Sequence, residues 1–194
     1  MNEIESDESK VAVDAVGSDY STWFIPEGEV YTRLSEVIIN ISDEFGTPKF
    51  EPHVTLLGGL TGLREEEAIS RVTELARNLE PLKITLTKVS YFSSYSNEND
   101  ATYRSLFILP ERTKPLMEAN HLASKTFGKE GGPPYYPHLS IMYGSFTPET
   151  KERIISKVGR EFSLNFEVKY IYLWSVKGLP EEWKLIKKIP LVQR

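Results

Sequence analysis

The chain has no cysteine. That excludes disulfides, thiol nucleophiles and thiolate metal sites, and it is compatible with a reducing compartment. Histidine is scarce as well: there are three, so any imidazole chemistry must draw on His53, His121 and His138. No apolar run approaches the roughly 20 residues of a membrane-spanning helix. Positive charge is not in excess either, and the formal net charge is −5. An acidic chain is poorly suited to gripping long duplex nucleic acid, which depends on neutralising many phosphates. It can still hold one small phosphorylated molecule in a local pocket.

Hydrophobic residues make up 40% and aromatic residues 11% of the chain. That is enough core for one large domain or two small lobes sharing an interface. The segment Met1–Lys10 is acidic and polar, without the basic and apolar stretches of a secretory leader. Residues 1–17 are expected to be a disordered acidic tail. Residues 18–194 are expected to form a single bilobal domain, monomeric and cytoplasmic.

Two short segments read alike: Glu51-Pro-His-Val-Thr-Leu-Leu-Gly-Gly59 and Tyr136-Pro-His-Leu-Ser-Ile-Met-Tyr-Gly144. In a strand, residues i and i+2 point to the same face. His53 therefore projects with Thr55, and His138 with Ser140. Bringing the two strands together assembles two imidazoles and two hydroxyls, which is equipment for a phosphate. Pro52 and Pro137 bias the residues before them to extended geometry. Leu56, Leu57, Ile141 and Met142 read as core.

The likeness extends further. Ser21-Thr-Trp-Phe-Ile-Pro-Glu27 matches Ser105-Leu-Phe-Ile-Leu-Pro-Glu111, and Phe45-Gly46 matches Phe127-Gly128. These matches run in the same order as the His segments, at separations that agree to within three residues. Each half reads as apolar strand, Pro-Glu, amphipathic helix, Phe-Gly, loop and Pro-His strand, followed by a second helix and another strand. Leu34, Val37, Ile38 and Ile41 recur at helical spacing, with Gly46 as C-terminal cap. Residues 65–79 predict a helix, 83–92 and 103–109 strands, and 116–127 a helix. Thr147 reads as the N-cap of another helix, with Pro148 in its first turn. Residues 162–174 and 183–192 read as two closing strands joined by the Gly178-Leu-Pro180 turn.

The paired His-x-Thr/Ser segments, the duplication and the length together resemble the 2H phosphoesterase superfamily, and within it the plant-type cyclic phosphodiesterases. The likeness spans roughly residues 19–192 and includes Tyr20–Pro26, Phe50–Thr55, the strand ending at Pro110, and Tyr135–Tyr143. It implies an α+β fold: two pseudo-twofold-related lobes, each an antiparallel sheet with helices outside, around a central cleft. It also implies metal-independent hydrolysis of small cyclic phosphates, with no cofactor. The associated reactions convert ADP-ribose 1″,2″-cyclic phosphate to the 1″-phosphate and nucleoside 2′,3′-cyclic phosphates to 2′-phosphates. His53, Thr55, His138 and Ser140 fall on the family's four catalytic positions. Tyr143, Trp23 and Tyr135 match aromatics near the site and are candidates for binding substrate. Plant members can carry cysteines, so any disulfide control of a loop is absent here.

The chemistry suits these groups. Histidine can take or give a proton near neutrality. In-line attack needs base and acid on opposite sides of phosphorus, which a pseudo-twofold pair supplies; which imidazole plays which part stays open. Thr55 and Ser140 can donate to the non-bridging oxygens as charge grows. Two competing readings stand beside this one. An enzyme acting on RNA ends or 2′,5′-linked oligonucleotides needs a basic groove, which the acidic balance disfavours. A nucleotide-binding module without turnover is disfavoured by intact His and hydroxyl pairs in both halves.

The remaining candidates have plainer readings. His121 has no counterpart in the repeat and reads as structural. Three histidines without a supporting carboxylate are a poor metal site. Trp23 reads as half core and half site wall, because its counterpart is Phe107. Tyr143, set against Gly59 in the first segment, reads as a pocket wall or donor. Tyr135 follows the Lys129–Pro134 loop. Arg104 and Lys114 are the basic candidates for a distal pyrophosphate, with a solvated face as the alternative. Lys184, Lys187 and Lys188 read as a charged strand edge.

Overall fold

The computed structural model describes residues 19–91 and 104–192. The expected N-terminal tail, Phe92, Tyr103 and the Arg104 side chain lie outside that description.

The apolar run at β1 (Tyr20–Phe24) is buried throughout, and Pro26 follows its end. Helix α1 (Gly28–Phe45) buries Leu34, Ile38 and Ile41 on one face. It stops at Gly46, whose φ of +66° suits glycine and whose N–H donates to the Ser42 carbonyl. Then come β2 (Val54–Leu60), α2 (Glu65–Arg77) and β3 (Leu82–Ser90). The second half repeats the plan with β4 (Arg104–Pro110), α3 (Lys114–Thr126), β5 (Leu139–Tyr143), α4 (Pro148–Val158) and β6 (Glu161–Val168). Thr147 caps α4 as expected, accepting from the Thr150 N–H, with Pro148 in the first turn. Strands β7 (Tyr170–Ser175) and β8 (Lys184–Pro190) close the chain, separated by a short 3₁₀ turn at Pro180–Glu182.

The strands form one antiparallel sheet in the order β6-β3-β4-β5-β2-β1-β7-β8. Read outward from its centre, β2-β1 mirrors β5-β4, as the repeat predicts, and beyond them β7 and β8 take the places that β3 and β6 hold on the other side. The halves exchange helices: α1 packs on β5, and α3 packs on β2. Helices bury the main core against one face of the sheet. The other face carries a second, aromatic cluster of Trp23, Ile25, Tyr172 and Val176, backed by Tyr31, Tyr170, Trp174 and Trp183.

One expectation is corrected. Residues 162–174 form two strands, not one, and these lie far apart in the sheet order: β6 at one edge beside β3, and β7 between β1 and β8. The phase of burial explains the break. Phe162, Phe166 and Val168 enter the main core, and so do Ile171 and Leu173. The core-facing positions thus change from even to odd across Lys169, which a single strand of period two cannot do.

Candidate active site

Strands β2 and β5 meet through one register pair, Val54 opposite Leu139, both fully buried in the core. Extending this antiparallel pairing by one residue in each direction sets His53 opposite Ser140 and Thr55 opposite His138. All four therefore lie on the face away from Val54 and Leu139. The pseudo-twofold axis passes through the middle of the constellation.

Both strands then bulge at equivalent places. Trp23 is opposite Thr55 and Thr22 opposite Leu57, so Leu56 has no partner on β1. Phe107 is opposite Ser140 and Leu106 opposite Met142, so Ile141 has none on β4. Each extra residue follows the hydroxyl residue directly and shifts the alternation beyond it. This returns Tyr143 to the face of Ser140. Its counterpart in the first half is accordingly Gly58, not Gly59.

Each imidazole is held in the same way. His53 Nδ1 lies 2.6 Å from the Glu51 carbonyl and His138 Nδ1 lies 2.8 Å from the Tyr136 carbonyl. A carbonyl only accepts, so Nδ1 carries the hydrogen in both rings and Nε2 is the nitrogen that exchanges protons.

The surroundings of the two rings differ. His53 is only 5% exposed and stacks on Trp23, with centroids 3.6 Å apart and planes 10° from parallel. Phe50 and Trp183 meet it edge-on at 6.5 and 6.4 Å. Burial pushes the His53 pKa down to about 3; the Glu51 carbonyl opposes the shift, and charge on nearby His138 adds to it. His138 is half-buried, edge-on to Phe107 at 5.5 Å and near Tyr136 at 6.3 Å.

The aromatic candidates divide. Tyr143 is buried and packs between Phe50, at 4.4 Å, and Trp183, at 6.1 Å. Trp23, read as partly a site wall, is core instead: it is 1% exposed, lies against His53 and Trp174, and donates to Ser21 Oγ at 2.7 Å. Its bearing on the site runs through His53. The Tyr135 hydroxyl donates to the Thr55 carbonyl at 2.8 Å, and burial raises its pKa. Tyr135 therefore ties the segment before β5 onto β2.

Outlying candidates stay outside. Lys114 is solvated and 3.6 Å from Glu118, and His121 is exposed on α3. Lys184 and Lys187 are exposed on the edge strand, whereas Lys188 donates to Glu27 at 2.7 Å and lies 3.9 Å over the Tyr170 ring. Among the described residues no three His, Asp or Glu side chains converge as metal ligands. Among them, too, no helix is long and apolar enough to cross a membrane.

Residues 43–179 match the sequence pattern of the 2′-5′ RNA ligase superfamily, a span that includes both His strands. The chain belongs to this superfamily, the 2H phosphoesterases. It is 28% identical over 138 residues, 71% of this chain and 72% of the relative, to the Arabidopsis thaliana protein named cyclic phosphodiesterase. Among solved structures, TT0787 of Thermus thermophilus shares the fold with a TM-score of 0.64 at 20% identity, over 89% of this chain and 97% of that one. E. coli LigT, solved with 3′-AMP, shares it with a TM-score of 0.58 at 14% identity, over 91% and 99%. LigT has also been solved with NADP+ and with ATP.

The 2H pattern ends at Leu179, just short of Trp183. Reasoning from sequence missed Trp183, Trp174 and Phe50 as neighbours of the site. Phe50 had a signal, since it stands three residues before His53 as Tyr135 stands before His138. Trp174 and Trp183 had none, because the turn and strands that deliver them are placed by tertiary packing.

Proposed function

We propose that residues 18–194 act as one catalytic domain that opens small cyclic phosphates by two-histidine acid–base catalysis. The substrates in view are nucleoside 2′,3′-cyclic phosphates, giving 2′-phosphates, and ADP-ribose 1″,2″-cyclic phosphate. What carries the reading is the pairing of His53 with Ser140 and of Thr55 with His138 about the Val54–Leu139 pair. The name of the Arabidopsis relative supports the reaction class. The nucleotides in the LigT structures support a small nucleotide as ligand.

A water oxygen bonds to phosphorus, and one ring P–O bond breaks. The water's proton passes to Nε2 of one imidazole, and the other imidazole's Nε2 gives a proton to the leaving sugar oxygen. Thr55 and Ser140 donate to the non-bridging oxygens, where negative charge accumulates. The buried, neutral state of His53 in the free protein favours it as the proton acceptor. An anionic phosphate between the rings opposes that depression and raises the His53 pKa on binding.

The test is turnover of 2′,3′-cyclic AMP and ADP-ribose 1″,2″-cyclic phosphate with EDTA present, products being identified by chromatography. Conversion to 2′-AMP or the 1″-phosphate is expected, with losses of about 10²–10⁴-fold in His53→Ala and in His138→Ala. Conversion of neither compound while ligand still binds, or full specific activity in a folded His53→Ala, overturns the reading.

A further inference from the structure

We propose that Trp183 is the contact for the nucleoside base, so that the base lies on the His53 side of the constellation. The inference rests on the cyclic-phosphate reading and adds where the rest of the substrate goes.

Trp183 follows the 3₁₀ turn directly and leads into β8; its backbone N–H donates to the Pro180 carbonyl at 3.3 Å. From there the half-buried indole reaches two parts of the site at once. It lies 6.4 Å from His53 at 73° between planes, and 6.1 Å from Tyr143 at 82°. Trp23 supports it from behind at 5.6 Å and is itself stacked on Trp174. The indole therefore stands on a packed base, not on a free loop. A rigid aromatic beside a phosphate-handling imidazole offers a planar base a stacking partner with little entropy left to lose.

The nitrogen edge of the indole is enclosed by protein, so what the half-buried ring can offer a ligand is its remaining surface. The Trp183 Nε1 hydrogen is buried with no acceptor among the described residues, and so is that of Trp174. A buried donor without a partner lowers stability. Tyr136, 40% exposed and 6.3 Å from His138, is the rival aromatic on the other side. Trp183 is preferred because it touches both His53 and Tyr143.

The experiment compares 2′,3′-cyclic AMP with glycerol 1,2-cyclic phosphate, which has the strained ring and no base. Trp183→Leu is expected to raise KM for cyclic AMP about tenfold more than it raises KM for the glycerol compound, since any change around His53 is common to both substrates. Trp183→Phe, which keeps a ring face, stays within about threefold on both. A readout on the unmodified protein guards against a variant that fails to fold. The Trp183 indole N–H resonance, assigned by its absence in Trp183→Phe, shifts on adding 2′-AMP and not on adding inorganic phosphate. Equal losses on both substrates, or an indole signal that stays put while 2′-AMP moves the His53 resonances, overturn the assignment. So does a base-selective KM rise in Tyr136→Leu but not in Trp183→Leu. These results leave the hydrolase reading standing. Wild-type protein that opens neither ring removes that reading, and the role of Trp183 in turnover with it.

Discussion

His53 is where stability and chemistry meet in one residue. Its ring is stacked on Trp23, edged by Phe50 and Trp183, and kept neutral by burial. The unfolded chain takes up a proton on this imidazole near pH 6.5, whereas the folded protein does so only near 3. Between those values the unfolded state binds more protons, so stability falls as pH falls below about 6.5. The expected loss from this residue between pH 7 and pH 5 is about 2 kcal/mol. Urea denaturation at the two pH values measures it, and His53→Gln should flatten that part of the slope. An unchanged slope in the variant contradicts the burial argument. Sequence reasoning found the residue from its motif, but not its burial, because Trp23 and Trp183 reach it from other strands.

At the level of elements, caps and breakers were legible. Gly46, Thr147 and Pro148 act through neighbours a few residues away, so the sequence contains both partners. The twin bulges at Leu56 and Ile141 were not legible, since a bulge is defined against the adjacent strand. Their upkeep crosses the molecule: the Leu56 carbonyl accepts from Asn120 Nδ2, on α3, at 2.7 Å. Asn120→Ala leaves this buried carbonyl without its partner and should cost about 1–3 kcal/mol in chemical denaturation. A variant as stable as the parent shows that β2 keeps its bulge without α3. The apolar alternation of residues 162–174 misled for a related reason. Each stretch is a good strand pattern alone, and only the core shows that the phase changes at Lys169.

At the level of the whole molecule, the repeat does not divide the chain into two self-sufficient units. Strands β1 and β2 are completed by β7 and β8 from the C-terminal end, and β3 pairs with β4 and β6. Helices α1 and α3 each pack on the other half's His strand. A fragment of residues 19–91 therefore holds β3 without partners and α1 without β5. It is expected to show no cooperative thermal transition by circular dichroism and little amide dispersion by NMR. A fragment that melts cooperatively argues that the halves are independent domains.

The order of elements as far as α4, the matching of β1 with β4 and of β2 with β5, and the two His–hydroxyl pairs followed from the sequence alone. Each rests on a local rule: period two in a strand, a cap at a helix end, a motif repeated at nearly constant separation. Only the tertiary structure decided that Trp23 lies under His53, that Tyr143 returns to the site face through a bulge, and that Trp183 stands at the site. Those outcomes depend on residues distant in sequence competing for the same space, and the pairing that brings β7 and β8 to β1 is a property of the whole eight-stranded sheet.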